Sequence, residues 1–147
     1  FPSTSLFRAD HDYFATQVEP HIDGTAVEYL GSIEQHRKAD VLGAAQVLLH
    51  LISFDEPFGL SLIEAMACGT PVIAFRRGSM AEIIRHGETG YIVDSIDEAV
   101  QAVAATETID RSACRADVER RFTNTRMARD YIRVYEQILN GQAHDDQ

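Results

Sequence analysis

The chain has 147 residues, a formal net charge of −10, and 45% apolar and 24% charged residues. That is one globular domain's worth of sequence, long enough to bury a core, and its acidity argues against a nucleic-acid surface, which needs a basic face. No apolar run approaches the roughly 20 residues of a membrane span and no signal-peptide pattern is present, so the expectation is a cytoplasmic chain without a transmembrane segment. Cys68 and Cys114 lack CxxC spacing and the six histidines lack ligand spacing, which predicts reduced thiols and no metal site. The chain begins at Phe1 rather than a methionine and is read as continuing an upstream polypeptide.

In chain order, residues 1–8 have no period and a turn-prone centre, and read as an irregular arm. Residues 10–18 predict a short helix ending before Pro20. Residues 27–30 predict a strand stopped by Gly31, and residues 34–44 a helix. The apolar stretch 45–52 reads as a buried strand. A helix follows from Leu60, with Leu60, Ile63, Met66 and Ala67 at helical spacing, broken by Gly69-Thr70-Pro71. Residues 72–75 form the next strand. Ser79 with Gly78 can cap a helix to about Arg85, residues 86–90 make a turn, and residues 91–93 a short strand. Residues 94–105, 110–122 and 124–139 predict helices, the last with Met127, Tyr131, Val134, Tyr135 and Leu139 on one face. Strands alternating with helices imply βαβ units and a parallel, Rossmann-like α/β sheet with helices on both faces. In such sheets ligands bind at the carboxyl ends of the strands.

One turn there carries most of the chemistry. Glu56-Pro57-Phe58-Gly59-Leu60 leads from a strand into a helix, with Glu64 in its second turn. A helix start offers backbone N–H groups and a positive dipole end to an anion. Carboxylates on either side can accept hydrogen bonds from hydroxyls, an arrangement that suits a phosphorylated sugar. A hydrolase carboxylate pair is the rival reading. Inverting enzymes hold theirs roughly 6.5–9.5 Å apart, and five helical residues climb roughly 7–8 Å, so spacing does not separate the two. The glycine-opened helix between the acids favours phosphate. Pro57 stiffens the turn, and Phe58 reads as a core plug whose N–H can still face the site. Asp10-His11-Asp12 matches a metal-holding D-x-D pattern, but aspartate at a helix start is the usual cap. Arg76 and Arg77 read as a solvated loop pair.

The segments Glu56 to Leu60 and Ile63 to Ala74, Gly78-Ser79 with Glu82-Ile83-Ile84, and His86-Gly87-Glu88-Thr89-Gly90 together resemble the family 4 (group 1) glycosyltransferases, two-domain enzymes of the GT-B fold. The resemblance extends from Tyr29-Leu30-Gly31 to the last helix. It implies the later part of a donor-binding domain, with residues 9–122 forming an incomplete nucleotide-sugar-binding domain, 123–140 a C-terminal helix and 141–147 a tail. It further implies retaining, metal-independent transfer from a nucleotide sugar, which is a substrate, with no cofactor. By the same resemblance Glu56 contacts the sugar hydroxyls and is the catalytic candidate. Glu64 takes the ribose diol, the amides around Phe58, Gly59 and Leu60 hold the diphosphate or sugar, and Gly31 and Ile33 lie against the base. The Arg-x4-Lys loop and the acceptor domain of such enzymes are absent from these 147 residues. The expected partners are therefore the nucleotide-sugar donor, that N-terminal acceptor domain and, through an exposed sheet edge, another copy of the chain. A non-catalytic nucleotide-binding module and a sugar-nucleotide epimerase are the alternatives.

Overall fold

Val72, Ile73 and Ala74 are all fully buried, although successive side chains of a strand point to opposite sides. Both faces of this strand must therefore be covered. In the computed structural model, which describes residues 8–141, they are. Three parallel strands run in the order β1-β2-β3: β1 Leu48–His50, β2 Val72–Phe75 and β3 Gly90–Val93. Leu48 is paired with Val72, and Val72 with Gly90. On one face Val72, Ala74 and Ile92 pack with Leu62, Met66, Met80 and Cys114, from α3 (Leu60–Ala67), α4 (Met80–Ile83) and α6 (Arg111–Arg121). On the other, Ile73 and Val93 meet Ala99 and Ala102 of α5 (Ile96–Ala105). Burying side chains the size of Leu62, Met66 or Ile73 contributes about 1.5–3 kcal/mol each.

Contacts divide the chain into residues 1–34 and residues 35–147. The second unit holds the sheet, α2 (Gln35–Ala44) and α7 (Asn124–Leu139). Its helix ends follow local chemistry. The Ser95, Asp110 and Thr123 side chains accept from Glu98 N, Ser112 N and Arg126 N respectively and cap α5, α6 and α7. The α7 side chains Met127, Tyr131, Tyr135 and Leu139 remain exposed.

Several expectations need correction. Residues 27–30 form no strand. The Asp23 carboxylate accepts from the amides of Thr25, Ala26 and Val27, and Val27 O accepts from Asp23 N and Gly24 N. The backbone of residues 23–27 is thus spent in a local turn. Those amides, Val27's first, hold the Asp23 carboxyl down at about 2. The stretch 45–52 yields only the three-residue β1, and Leu49 is 52% exposed. Among the described residues β1 pairs on one side only and is an edge strand. The helix expected over 10–18 is α1 (Arg8–Tyr13), continued by a π-turn, Phe14–Val18, and a 3-10 turn, Glu19–His21. Pro20 sits within the first turn of that last piece, where its missing N–H costs nothing. Arg8 thus belongs to a helix, while residues 1–7 of the expected arm and 142–147 of the tail lie outside the described residues. Helix α4 stops at Ile83, because Ile84 turns extended and Arg85 N donates to Thr89 Oγ1. Both cysteines are free, Cys114 buried and Cys68 half-buried. Burial pushes the Cys114 thiol up to about 11.

Asp117 is only 3% exposed and is held by Arg85 Nε at 2.8 Å, by Arg121 Nη1 at 2.7 Å and by Arg120. Arg121 also donates to Ile83 O and Glu82 O, so one carboxylate ties α6 to the end of α4. Burial opposes ionisation, but hydrogen bonds from Arg121 and Arg120, with the charges of Arg121 and Arg85, outweigh it and hold the carboxyl below its ordinary value. The folded-state pKa is therefore the lower one. Its stabilisation is present above the ordinary aspartate range and is lost as the pH falls through the lowered folded value. Asp117→Asn is expected to cost roughly 2–3 kcal/mol at neutral pH, below the full penalty for breaking a buried pair because the arginines reach water. It should also flatten the acid limb of a urea-unfolding series. An unchanged acid limb would show that Asp117 does not titrate with unfolding.

Candidate functional site

The loops leaving β1 and β2 lie side by side because their strands are parallel neighbours. They are joined by backbone. Ser79 N donates to Glu56 O at 3.0 Å, and Ser79 Oγ lies 3.1 Å from Glu56 O and 2.9 Å from Phe58 O. Gly78 N donates to Asp55 Oδ1 at 3.2 Å. Gly78 is left-handed (φ 49°), and a Cβ there would stand 2.3 Å from Glu56 O and 2.7 Å from Glu56 N. The second loop is a clamp that fits only with glycine at its point of contact.

Within the first loop Gly59 precedes α3 at φ 86°, ψ 56°, a left-handed conformation that glycine takes at no steric cost. Its turn lets Glu56 fold back, so that Oε1 accepts from Gly59 N at 3.2 Å and Phe58 N at 3.4 Å. The expectation that these two amides stand free is therefore corrected. A glutamate carboxylate already sits on them. Among the described residues, the amides of Leu60 and Ser61 donate to no protein acceptor. The helix start therefore carries two amides without a protein acceptor and two held by the Glu56 carboxylate.

Glu64, one turn along α3, is half-buried and pairs with Lys38 Nζ of α2 at 2.9 Å. Phe58 is 49% exposed and Leu60 67%, so the core-plug reading of Phe58 is also corrected. With Ile63, Phe122, Met127 and Tyr131 they line a groove of about 560 Å³ against α7. Phe58, Leu60 of α3 and Met127 and Tyr131 of α7, all exposed, supply most of its apolar wall. Gly31 (φ 64°) and Ile33 (37% exposed) belong to the first contact unit. Arg76 Nε pairs with Asp94 at 3.3 Å, both largely in solvent, as a solvated loop residue would. Among the described residues no three His, Cys, Asp or Glu side chains gather as metal ligands.

Of the residues singled out in the sequence, Glu56, Phe58, Gly59, Leu60 and Glu64 share one loop and helix start, while Gly31 and Ile33 belong to the first unit. Sequence reasoning missed Ser79, Asp55 and Lys38. Ser79 precedes a helix and reads as its cap, yet α4 has no side-chain cap. A serine or threonine that follows a strand and a glycine, in the loop beside a candidate site, is the signal that could have found it.

Two loops are thus clamped together at neighbouring strand ends, one of them opening a helix between two glutamates. A family model described as glycosyl transferases group 1 matches residues 10–122. The chain belongs to the group 1 glycosyltransferases. It is 34% identical over 127 residues to N-acetyl-alpha-D-glucosaminyl L-malate synthase of Bacillus anthracis, covering 81% of this chain and 32% of that protein. It is 31% identical over 119 residues to phosphatidyl-myo-inositol mannosyltransferase of Mycobacterium leprae, covering 76% and 32%. Among solved structures, sucrose-phosphate synthase from Thermosynechococcus elongatus superposes with a TM-score of 0.69 at 30% identity, over 90% of this chain and 35% of that one. Anabaena HepE in complex with UDP-glucose superposes at 0.62 and 21% identity, over 93% and 38%, a likeness of fold. This group 1 chain thus spans about a third of the length of each of these four, and its Rossmann-like sheet is that of GT-B glycosyltransferases. No helix among the described residues is long and apolar enough to cross a membrane.

Proposed function

We propose that this chain supplies part of the donor-binding domain of a retaining, metal-independent glycosyltransferase that moves a sugar from a nucleotide sugar to an acceptor. The reading rests on one observation above all. In a group 1 chain, the loop carrying Glu56 is clamped by Ser79 at the strand ends, with its amides and the start of α3 grouped around a carboxylate. A site that seats its own carboxylate can seat a phosphate by exchange. The donor phosphate takes the amides, and Glu56 turns to the sugar hydroxyls. Glu64 accepts from the ribose diol.

Breaking the glycosyl–phosphate bond builds negative charge on the departing diphosphate. Amides already aimed at that charge stabilise it by a few kcal/mol each in a dry site, about the cost of losing one oxyanion donor. In retaining transfer the acceptor oxygen attacks the face that the diphosphate leaves, and the diphosphate accepts its proton. Glu56 steadies the electron-poor sugar carbon. Acceptor placement and water exclusion need a facing domain, so the 147-residue chain alone is expected to show negligible transfer. Robust turnover by it would contradict this division of labour.

Calorimetry on the full-length protein with UDP-, GDP- and ADP-sugars tests the donor assignment. Glu64→Ala is expected to weaken the preferred nucleotide sugar at least tenfold, about 1.4 kcal/mol. Unchanged affinity would remove the ribose role. An epimerase would convert the donor without an acceptor, which product analysis distinguishes.

A further inference from the structure

The Lys38–Glu64 pair joins α2 to α3 across 26 positions of sequence. Lys38 and Glu64 are 34% and 40% exposed, and an ion pair this wet adds little to folding. Its geometry is nevertheless built. The carboxyl end of α2 is fixed by Thr70, fully buried, whose Oγ1 donates to Leu42 O at 2.6 Å. Arg111 donates to Ala45 O at 2.8 Å, to Gly43 O at 2.7 Å and to Thr70 Oγ1 at 2.9 Å. A cation bonded to the last carbonyls of a helix is favourable in its own right. Here it also locks α2 to the turn that follows α3, so the backbone carrying Lys38 cannot drift from the backbone carrying Glu64.

The ammonium occupies Oε1 of Glu64 alone. Among the described residues Oε2 accepts no hydrogen bond from the protein. A long, half-exposed glutamate would otherwise sample several rotamers and would have to be ordered by its ligand.

We propose that Lys38 is a positioning residue for nucleotide recognition. It holds the Glu64 carboxylate in one orientation, with one oxygen left to accept from a vicinal diol, and it cancels a charge that would repel a diphosphate. The proposal rests on the reading of Glu64 as the ribose acceptor and adds the group that makes it competent. A carboxylate with a lysine partner can take neutral hydroxyls beside a polyanion. Without that partner it meets the polyanion as a like charge.

The test uses the full-length protein and calorimetry with UDP, GDP or ADP, whichever binds best, and its 2′,3′-dideoxy counterpart. The wild type is expected to prefer the ribose form. Lys38→Met should cut that preference at least fivefold and weaken the dideoxy form, which reports the charge alone, about threefold. Lys38→Arg should restore the preference, and the melting temperature should stay close to wild type in both variants. Glu64→Gln should remove the preference. If Glu64→Gln removes it while Lys38→Met keeps it at the wild-type value, the positioning role is overturned and the ribose reading stands. A preference retained by Glu64→Gln overturns the ribose reading and, with it, this proposal.

Discussion

Gly90→Ala is expected to be among the most damaging single-methyl changes to stability in the chain. Gly90 opens β3 opposite Val72, and a Cβ there would stand 2.0 Å from Val72 O. The obstacle is backbone in the middle strand, buried on both faces, so no side-chain rotation relieves it. Either the start of β3 moves off β2 or β2 moves into the packing of Leu62 and Met66. Overpacking of a rigid core costs about 1–3 kcal/mol and sometimes more, and loss of ladder hydrogen bonds adds to it. The expected loss is about 3 kcal/mol or more, read from urea midpoints. Gly87→Ala is the control. It lies three residues away at φ 81° with nothing within 4 Å of its Cβ, so only the left-handed backbone penalty of about 1–2 kcal/mol applies. Equal losses in the two variants would show that β2 and β3 are not this closely apposed.

Gly78→Ala is expected to separate the candidate site from the fold. Its Cβ would collide with Glu56 O and Glu56 N, and the loop can yield only by moving as a unit. Ser79 would then lose its bonds to Glu56 O and Phe58 O, and the amides at Phe58 and Gly59 would shift from their present aim. Hydrogen-bonded sites tolerate little displacement, and a misplacement of about 1 Å can cost about a hundredfold in catalysis. The variant should retain its far-ultraviolet circular dichroism, lose about 2–4 kcal/mol of stability from the left-handed backbone and the broken loop hydrogen bonds, and bind nucleotide sugar at least tenfold more weakly. Wild-type binding would mean that the clamp between the two loops is incidental.

The parts of this architecture that local patterns encode were legible in the sequence. Val72–Phe75 is an apolar run bounded by Gly69-Thr70-Pro71 and Gly78, and the strand falls there. Residues 124–139 carry a helical stripe behind a threonine cap, and α7 has those bounds. What failed was information that is not local. Residues 27–30 look like a strand, but Asp23 takes the amide of Val27 along with those of Thr25 and Ala26 just before it. Asp117 looks like a surface acid on α6, because nothing nearby announces Arg85, 32 positions back. The candidate site divides the same way. Glu56, Gly59 and Glu64 share one short motif. Lys38 and Ser79 reach it through tertiary contacts that no spacing rule carries.

The proposed function stands or falls with the helix start after Glu56 receiving the phosphate of an activated sugar. Amide resonances of the ¹⁵N-labelled full-length protein, titrated with UDP-, GDP- and ADP-sugars, test it most directly. Phe58, Gly59 and Leu60 are expected to move together and saturate with one of the three, as the Glu56 carboxylate gives up its place. Saturable binding that shifts other amides and leaves these three unmoved would contradict it.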